Sequence, residues 1–302
     1  MIRLALIYSL ALFWMTPSAA AQSCQDSPLA VQILGSGGNR VNRDRASASY
    51  LVWIAGQGKI LVDAGGGAFL RFGQTEAGVA NLSLIAISHL HPDHVSDLPA
   101  LLWSPGGGEK RPPLYVAGPS GNAVVPSFST FLSRLFDQKD GAFPMLGGWM
   151  GGSGRWGVAL DAVVIDATKR EPSAVFSRED VTVTAIGVPH GNIPTLAYRV
   201  QAQTKTIVFS SDQNGDDPTF VEFARGADVL VMHMTRSGSE PDPDRLHASP
   251  DVVGQIARDA RVGRLVLSHI NFVDLEPAIA KVMKYYTGPL TVGADLECTP
   301  VP

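Results

Sequence analysis

Positive charge is in short supply in this 302-residue sequence, where 24 Lys and Arg stand against 28 Asp and Glu for a formal net charge of −4. A surface that wraps nucleic acid is normally strongly basic, so an extended RNA or DNA footprint is disfavoured. Long apolar runs are just as few. The one near the start, in "MIRLALIYSLALFWMTPSAAAQS", goes from Leu4 to Met15 and is cut by Thr16, Pro17 and Ser18. That is short of the roughly 20 apolar residues a membrane span needs. No second such run follows, so no membrane contact is expected of the mature chain. Cysteine occurs only twice, at Cys24 and Cys298, and histidine seven times. Glycine, by contrast, is plentiful at 31, but it is scattered over short loops, and 45% hydrophobic content gives material for a large core rather than a disordered chain.

The scarce residues are informative through their placement. Arg3, the apolar run and the small residues Ala19 to Ala21 form the three-part pattern of a secretory signal over residues 1–21, cleaved after Ala21. The mature chain is then 22–302, one domain in the periplasm or outside the cell. In an oxidising compartment, an even pair of cysteines at the two ends reads as a disulfide. The alternative of a lipidated Cys24 is disfavoured because "AQSC" lacks a large aliphatic residue three positions before the cysteine.

The first half reads as strands at "AVQILGSGG", "SYLVWIA", "KILVDAGGG" and "LSLIAISHL", followed by a short helix in "VSDLPALLWS". From Pro105 to Glu179 the signals weaken to a strand at "PLYVAG" and a helix at "SFSTFLSRLFDQ". Residues 141–157, "GAFPMLGGWMGGSGRWG", form a Gly/Trp-rich insertion. Trp149 and Trp156 there either cover the site as a flap or pack on the sheet beneath. The second half regains strand rhythm at "VTVTAIGVPH", "TLAYRVQ", "TIVFSSD", "ADVLVMHM" and "RLVLSHI", with helices at "DPTFVEFARG", "SPDVVGQIARDA" and "LEPAIAKVMKYY". Strand-rich halves, each with helices, predict an α/β architecture of two mixed sheets packed together with helices outside.

Three of the seven histidines crowd into "SHLHPDHVSD" at residues 88–97. An HxH pair on a strand or its exit places His89 and His91 on one side, within reach of one cation. Pro92 breaks the strand, so Asp93 and His94 turn toward a neighbouring point. One short loop cannot close two metal sites, and distant partners stand at the ends of predicted strands: His190, Asp212 and His269. Imidazole with carboxylate suits zinc, ahead of manganese or iron. His233 and His247 are left unassigned by this reading.

The set "ILVDAG", "SHLHPDH", "GVPHGNIPTLAYRV", "FSSD" and "LVLSHI" resembles the metallo-β-lactamase superfamily, and "ADVLVMHMT" with "HASPDVVGQIARDARVGRLVLSHI" resembles its ribonuclease Z branch. The resemblance implies that superfamily's αβ/βα four-layer sandwich and two zinc ions. One is implied on His89, His91 and His190, the other on Asp93, His94 and His269, with Asp212 bridging. It further implies that Asp63 orients the metal loop, that Asp93 accepts a proton from a metal-bridging water, and that His247 stabilises the transition state or protonates the leaving oxygen. Three departures bear on substrate. Met234 replaces the glutamate of the branch's "HEAT" and removes a carboxylate of its proton relay, the insertion lacks a Lys/Arg cluster, and an exported chain does not meet precursor tRNA. The expectation is a metal-dependent hydrolase of small-molecule phosphodiesters or related esters, with no tRNA as partner and a second copy of the chain as a candidate one. β-Lactam, lactone or arylsulfate hydrolysis on the same metals stays open, as does a metal-binding module without turnover.

Overall fold

The computed structural model describes residues 24–104, 113–149, 159–238 and 243–302. The expected signal segment, the part of the Gly/Trp-rich insertion beyond residue 149 and Trp156 lie outside the described residues. Most apolar runs named above become strands, joined as hairpins where the linker is short and as helical crossovers where it is long. The first sheet uses β1 (Leu29–Gly35), β2 (Ser49–Ile54), β3 (Gln57–Val62), β4 (Leu84–Ala86), β5 (Leu114–Pro119) and β6 (Leu160–Ile165). The second uses β7 (Ser173–Arg178), β8 (Val181–Val188), β9 (Thr195–Ala202), β10 (Lys205–Phe209), β11 (Val229–His233), β12 (Arg264–Ser268) and β13 (Leu290–Val292). β14 (Cys298–Pro300) returns to the first sheet beside β1, giving the orders β14-β1-β2-β3-β4-β5-β6 and β13-β12-β11-β10-β9-β8-β7.

Both sheets are mixed. β1 to β3 and β7 to β10 pair antiparallel, whereas β3 to β6 and β10 to β13 pair parallel. The crossovers carry α1 (Ala68–Gly73), α2 (Pro92–Val95), α3 (Leu98–Trp103), α4 (Phe128–Phe136), α5 (Thr219–Phe223), α6 (Pro250–Asp259) and α7 (Glu276–Met283). Strand alternation sorts the side chains. Tyr50, Val62 and Ala86 meet Tyr198, Phe209 and Val231 between the sheets. Leu51, Leu61 and Ile85 face outward onto Phe72, Leu101 and Phe128, and Val208, Leu230 and Leu265 face outward onto Phe220, Ile256 and Val282. The result is the four-layer αβ/βα sandwich expected from the sequence.

Two local features follow directly from residue chemistry. Ser249 caps α6 by accepting from the Val252 backbone N–H, with Pro250 at the first helical position. Cys24 and Cys298 form a disulfide across 274 residues of sequence, and Cys298 lies in register with Gln32 on β1. The bridge therefore pins the start of the described chain to its last strand. The helix expected over "VSDLPALLWS" is divided: α2 already begins at Pro92, and α3 starts at Leu98. β6, β7, β13 and β14 had no sequence expectation.

Candidate metal centre

Every strand that feeds the site ends on the same edge of the sandwich: β3 and β4 from one sheet, β8, β10, β11 and β12 from the other. Their exits are sharp. Asp63 after β3, Ser211 after β10 and His269 after β12 all adopt left-handed backbone, with φ of 59°, 54° and 58°. Non-glycine residues rarely take this conformation, and it tends to collect at functional sites. Space is tight as well. A Cβ on Gly38 would lie 2.4 Å from His269 Cε1, so that position is confined to glycine.

On this edge all seven histidines of the chain converge. Ring centroids link them continuously: His91 to His89 at 4.6 Å, His89 to His94 at 4.0 Å, and His89 to His190 at 5.1 Å. The series continues with His190 to His247 at 5.1 Å, His94 to His269 at 5.2 Å and His269 to His233 at 4.7 Å. The structure thus brings together every residue singled out from the sequence: His89, His91, Asp93, His94, His190, Asp212, His247 and His269. It adds His233, which the sequence reading left aside. The signal was present, since His233 ends a strand just as His190 and His269 nearly do. The register that sets His233 opposite Ser268 makes it a neighbour of His269.

A hydrogen-bond frame behind the rings decides which nitrogen each presents. Asp63 accepts from the Ser88 backbone N–H at 2.7 Å, the Ser88 hydroxyl at 2.8 Å and His94 Nδ1–H at 2.8 Å. With its proton given to Asp63, Ser88 Oγ accepts from His89 Nδ1–H at 3.1 Å. His190 Nδ1–H donates to the Leu246 carbonyl at 3.0 Å, and His269 Nδ1 lies 3.0 Å from Thr235 Oγ1. Four rings are therefore anchored by Nδ1 and turn Nε2 inward. His91 instead presents Nδ1, 3.0 Å from His89 Nε2.

The inward atoms crowd around Asp212. Its Oδ2 lies 3.8 Å from His89 Nε2, 3.6 Å from His94 Nε2 and 3.8 Å from His190 Nε2, and its Oδ1 lies 3.4 Å from His269 Nε2. His94 Nε2 and His269 Nε2 are 3.2 Å apart. Asp93 Oδ2 stands 3.2 Å from His269 Nε2 and 3.7 Å from His94 Nε2. Two ligands of a tetrahedral zinc, each at about 2.0–2.2 Å, are separated by about 3.3–3.6 Å, close to these spacings. Two donor groups result, His89–His91–His190–Asp212 and His94–Asp212–His233–His269, and they share Asp212. The chemistry of the set fits divalent cations in another respect. His190 Nε2 is buried without a hydrogen-bond partner, an arrangement that is costly unless something electropositive meets the lone pair.

His233 sits differently from the others. Its Nδ1–H donates to Asp212 Oδ1 at 2.7 Å and its Nε2 faces the Tyr50 hydroxyl at 2.8 Å, which also contacts Ser268 Oγ at 2.9 Å. Both nitrogens are engaged, so the ring braces Asp212 within the second donor group. Burial drives the His233 pKa down to about 4, which keeps the ring neutral. Burial also opposes charge on Asp212, but the facing His269 and His94 and the bond from His233 outweigh it and hold the carboxyl well below its usual range. For His94, burial disfavours the cation, yet the carboxylates of Asp63 and Asp212 raise it well above the ordinary value. The side chains of His247 and Asp93 are 17% and 9% exposed, while Asp212 is 3% exposed.

Comparison with known proteins places this geometry. The Beta-lactamase superfamily domain matches residues 59–270, which contain the candidate donors from His89 to His269. Ribonuclease Z of Mycobacterium bovis (strain BCG / Pasteur 1173P2) is 27% identical over 290 residues, spanning 89% of this chain and 97% of that protein. Among solved structures, the metallo-beta-lactamase fold protein YhfI from Bacillus subtilis superposes with a TM-score of 0.71 at 18% identity, covering 90% of this chain and 99% of its own. The short form of human tRNase Z gives 0.67 at 20% identity, covering 90% and 99%. The chain belongs to the beta-lactamase superfamily, as a ribonuclease Z-like member with the metallo-β-lactamase fold.

Proposed function

We propose that this metal-dependent hydrolase cleaves phosphodiester or related ester bonds of small molecules, with two zinc ions, after export from the cytoplasm. The observation that carries the reading is the single carboxylate of Asp212 shared between two donor groups. His89, His91 and His190 would hold one ion, and Asp93, His94 and His269 the other. A pair of divalent cations supplies Lewis acidity toward an ester oxygen and makes a water acidic near neutral pH. The residues at the mouth do the rest. Asp93, partly open to solvent and ionised despite burial because His269 bonds to it, accepts a proton. His247, 5.1 Å from the His190 ring, offers a hydrogen bond to the departing oxygen. The Asp63–Ser88 frame and His233 keep the donors from rotating, so little reorganisation accompanies reaction.

Small esters are favoured over tRNA by the acidic balance of the chain. Export is supported by the bridge between Cys24 and Cys298, since such bonds persist in oxidising compartments. The test is a turnover screen of zinc-loaded protein against a bis-aryl phosphate, an aryl sulfate, a lactone and a cephalosporin. Phosphodiester cleavage that Asp93→Asn lowers by at least about 10²-fold is the expected result. Exclusive turnover of the lactone or cephalosporin would move the assignment to carbonyl chemistry, and no turnover with both ions bound would leave a binding module.

A further inference from the structure

The loop that carries metal donors also builds one wall of a cavity of about 650 Å³. Leu90, Pro92 and Val95 line it, interleaved in sequence with His89, His91, Asp93 and His94. Local geometry explains the division. On the strand exit, Leu90 points away from His89 and His91 and joins the outer apolar layer. In the single turn of α2, Pro92 and Val95 are three residues apart and share a face, which leaves Asp93 and His94 to the metal side. Trp103 of α3 extends this wall, and the rest of the lining includes Phe131 and Leu135 of α4 with Phe143 and Met145 beyond it. Among the described residues that line the cavity none is charged, and Ser96 supplies the one hydroxyl. Trp103, Phe143 and Met145 stay 54%, 39% and 63% exposed, and apolar groups concentrated in this way mark binding surfaces. The volume falls within the range of small-molecule sites, roughly 300–1,000 Å³. Consecutive Cα atoms are about 3.8 Å apart, so the exposed Pro92 brings the cavity wall within one residue of both His91 and Asp93.

We propose that this cavity is the subsite for an uncharged apolar group, alkyl or aryl, so that the preferred substrate is a phosphodiester or related ester with one large hydrophobic substituent. The proposal rests on the hydrolytic reading above for the reaction, while occupation of the cavity can be read without turnover. The lining chemistry selects that occupant. A sugar, a nucleoside or a second phosphate would exchange water for walls that offer almost no hydrogen bonds, which is costly. Each methylene withdrawn from water, by contrast, gains up to about fourfold in binding. A concave site that starts one residue from the metal donors suits a group tethered to the reacting bond, with Pro92 as the rim the substituent crosses.

The experiment uses full-length mature protein loaded with zinc and measures, by calorimetry, the binding of methyl-, ethyl-, propyl-, butyl- and phenylphosphonate, which share one metal-seeking head. Affinity should rise by about two- to fourfold per methylene, hence about 8- to 60-fold from methyl to butyl, with phenyl at least as tight as butyl. In turnover, kcat/KM for nitrophenyl phosphodiesters bearing the same groups should climb in parallel. Two variants address the cavity itself: Met145→Glu places a charge at an exposed lining position, and Ala100→Phe fills space from α3. Each should lower the butyl-to-methyl ratio by at least about threefold, with zinc content at the parent value. A flat series in the parent overturns the proposal, because another part of the chain, a second copy or a partner protein would then take the cavity. A rising series whose ratio neither variant lowers overturns it too, since the apolar group would lie elsewhere. If the parent turns over none of the esters, the hydrolytic reading fails, while the phosphonate series still decides the occupant of the cavity.

Discussion

Replacing His233 by leucine, close to it in volume and without a polar atom, removes the ring that holds Asp212 while leaving the other donors in place. The lost bond, Nδ1–H to Asp212 Oδ1 at 2.7 Å, is short and made to a charged acceptor, a class of bond worth about 1.5–3 kcal/mol. Tyr50 keeps its contact with Ser268 Oγ, so little is added from that side. Metal-free variant protein should therefore unfold about 2–3 kcal/mol more easily in denaturant. The effect on zinc should be graded, because groups behind a ligand typically change affinity by about 10–100-fold. Chelator competition should show two ions still bound at saturation, each step weaker by up to that factor. Tyr50→Phe, which keeps the imidazole but removes its outer partner, should cost about 1 kcal/mol. Stoichiometry falling from two to one at saturating zinc in His233→Leu would show that His233 is itself a ligand. Unchanged stability and affinity would show that Asp212 needs no such support.

Three further outcomes follow from the same geometry. Protein purified without chelator should carry close to two divalent ions per chain by elemental analysis, and fewer than one after zinc reconstitution would contradict the shared-carboxylate arrangement at Asp212. Asp93→Asn keeps an oxygen near His269 Nε2 at 3.2 Å but loses the charge that accepts a proton, so turnover should fall by roughly 10²–10³-fold while the ion on His89, His91 and His190 is retained. Reducing the bridge between Cys24 and Cys298 releases a loop with a sequence separation of 274. The chain-entropy model sets an upper bound of about 5–6 kcal/mol for the resulting loss, to be read from denaturant midpoints of Cys24→Ser against the parent, and no shift would mean that β14 stays docked without it.

Much of this centre could be read in one dimension because strand ends are local events. An apolar run ending in histidine or aspartate, as at His190, Asp212 and His269, places that side chain at a sheet edge whatever the partners are, and the HxHxDH spacing orients its own residues through strand alternation and the break at Pro92. The layer order followed from the same runs, since buried parallel strands demand helices on the outside. What the sequence could not supply was pairing. That β14 returns to β1, or that β6 and β7 exist in a stretch of weak periodicity, depends on partners far along the chain. The placement of His233 needed the register of β11 with β12, and its outer contact needed the Tyr50 hydroxyl, contributed by the opposite sheet. Residue type and periodicity determined which groups reach the edge; the long-range hydrogen bonds among them, directional and set by packing, decided which nitrogen each presents.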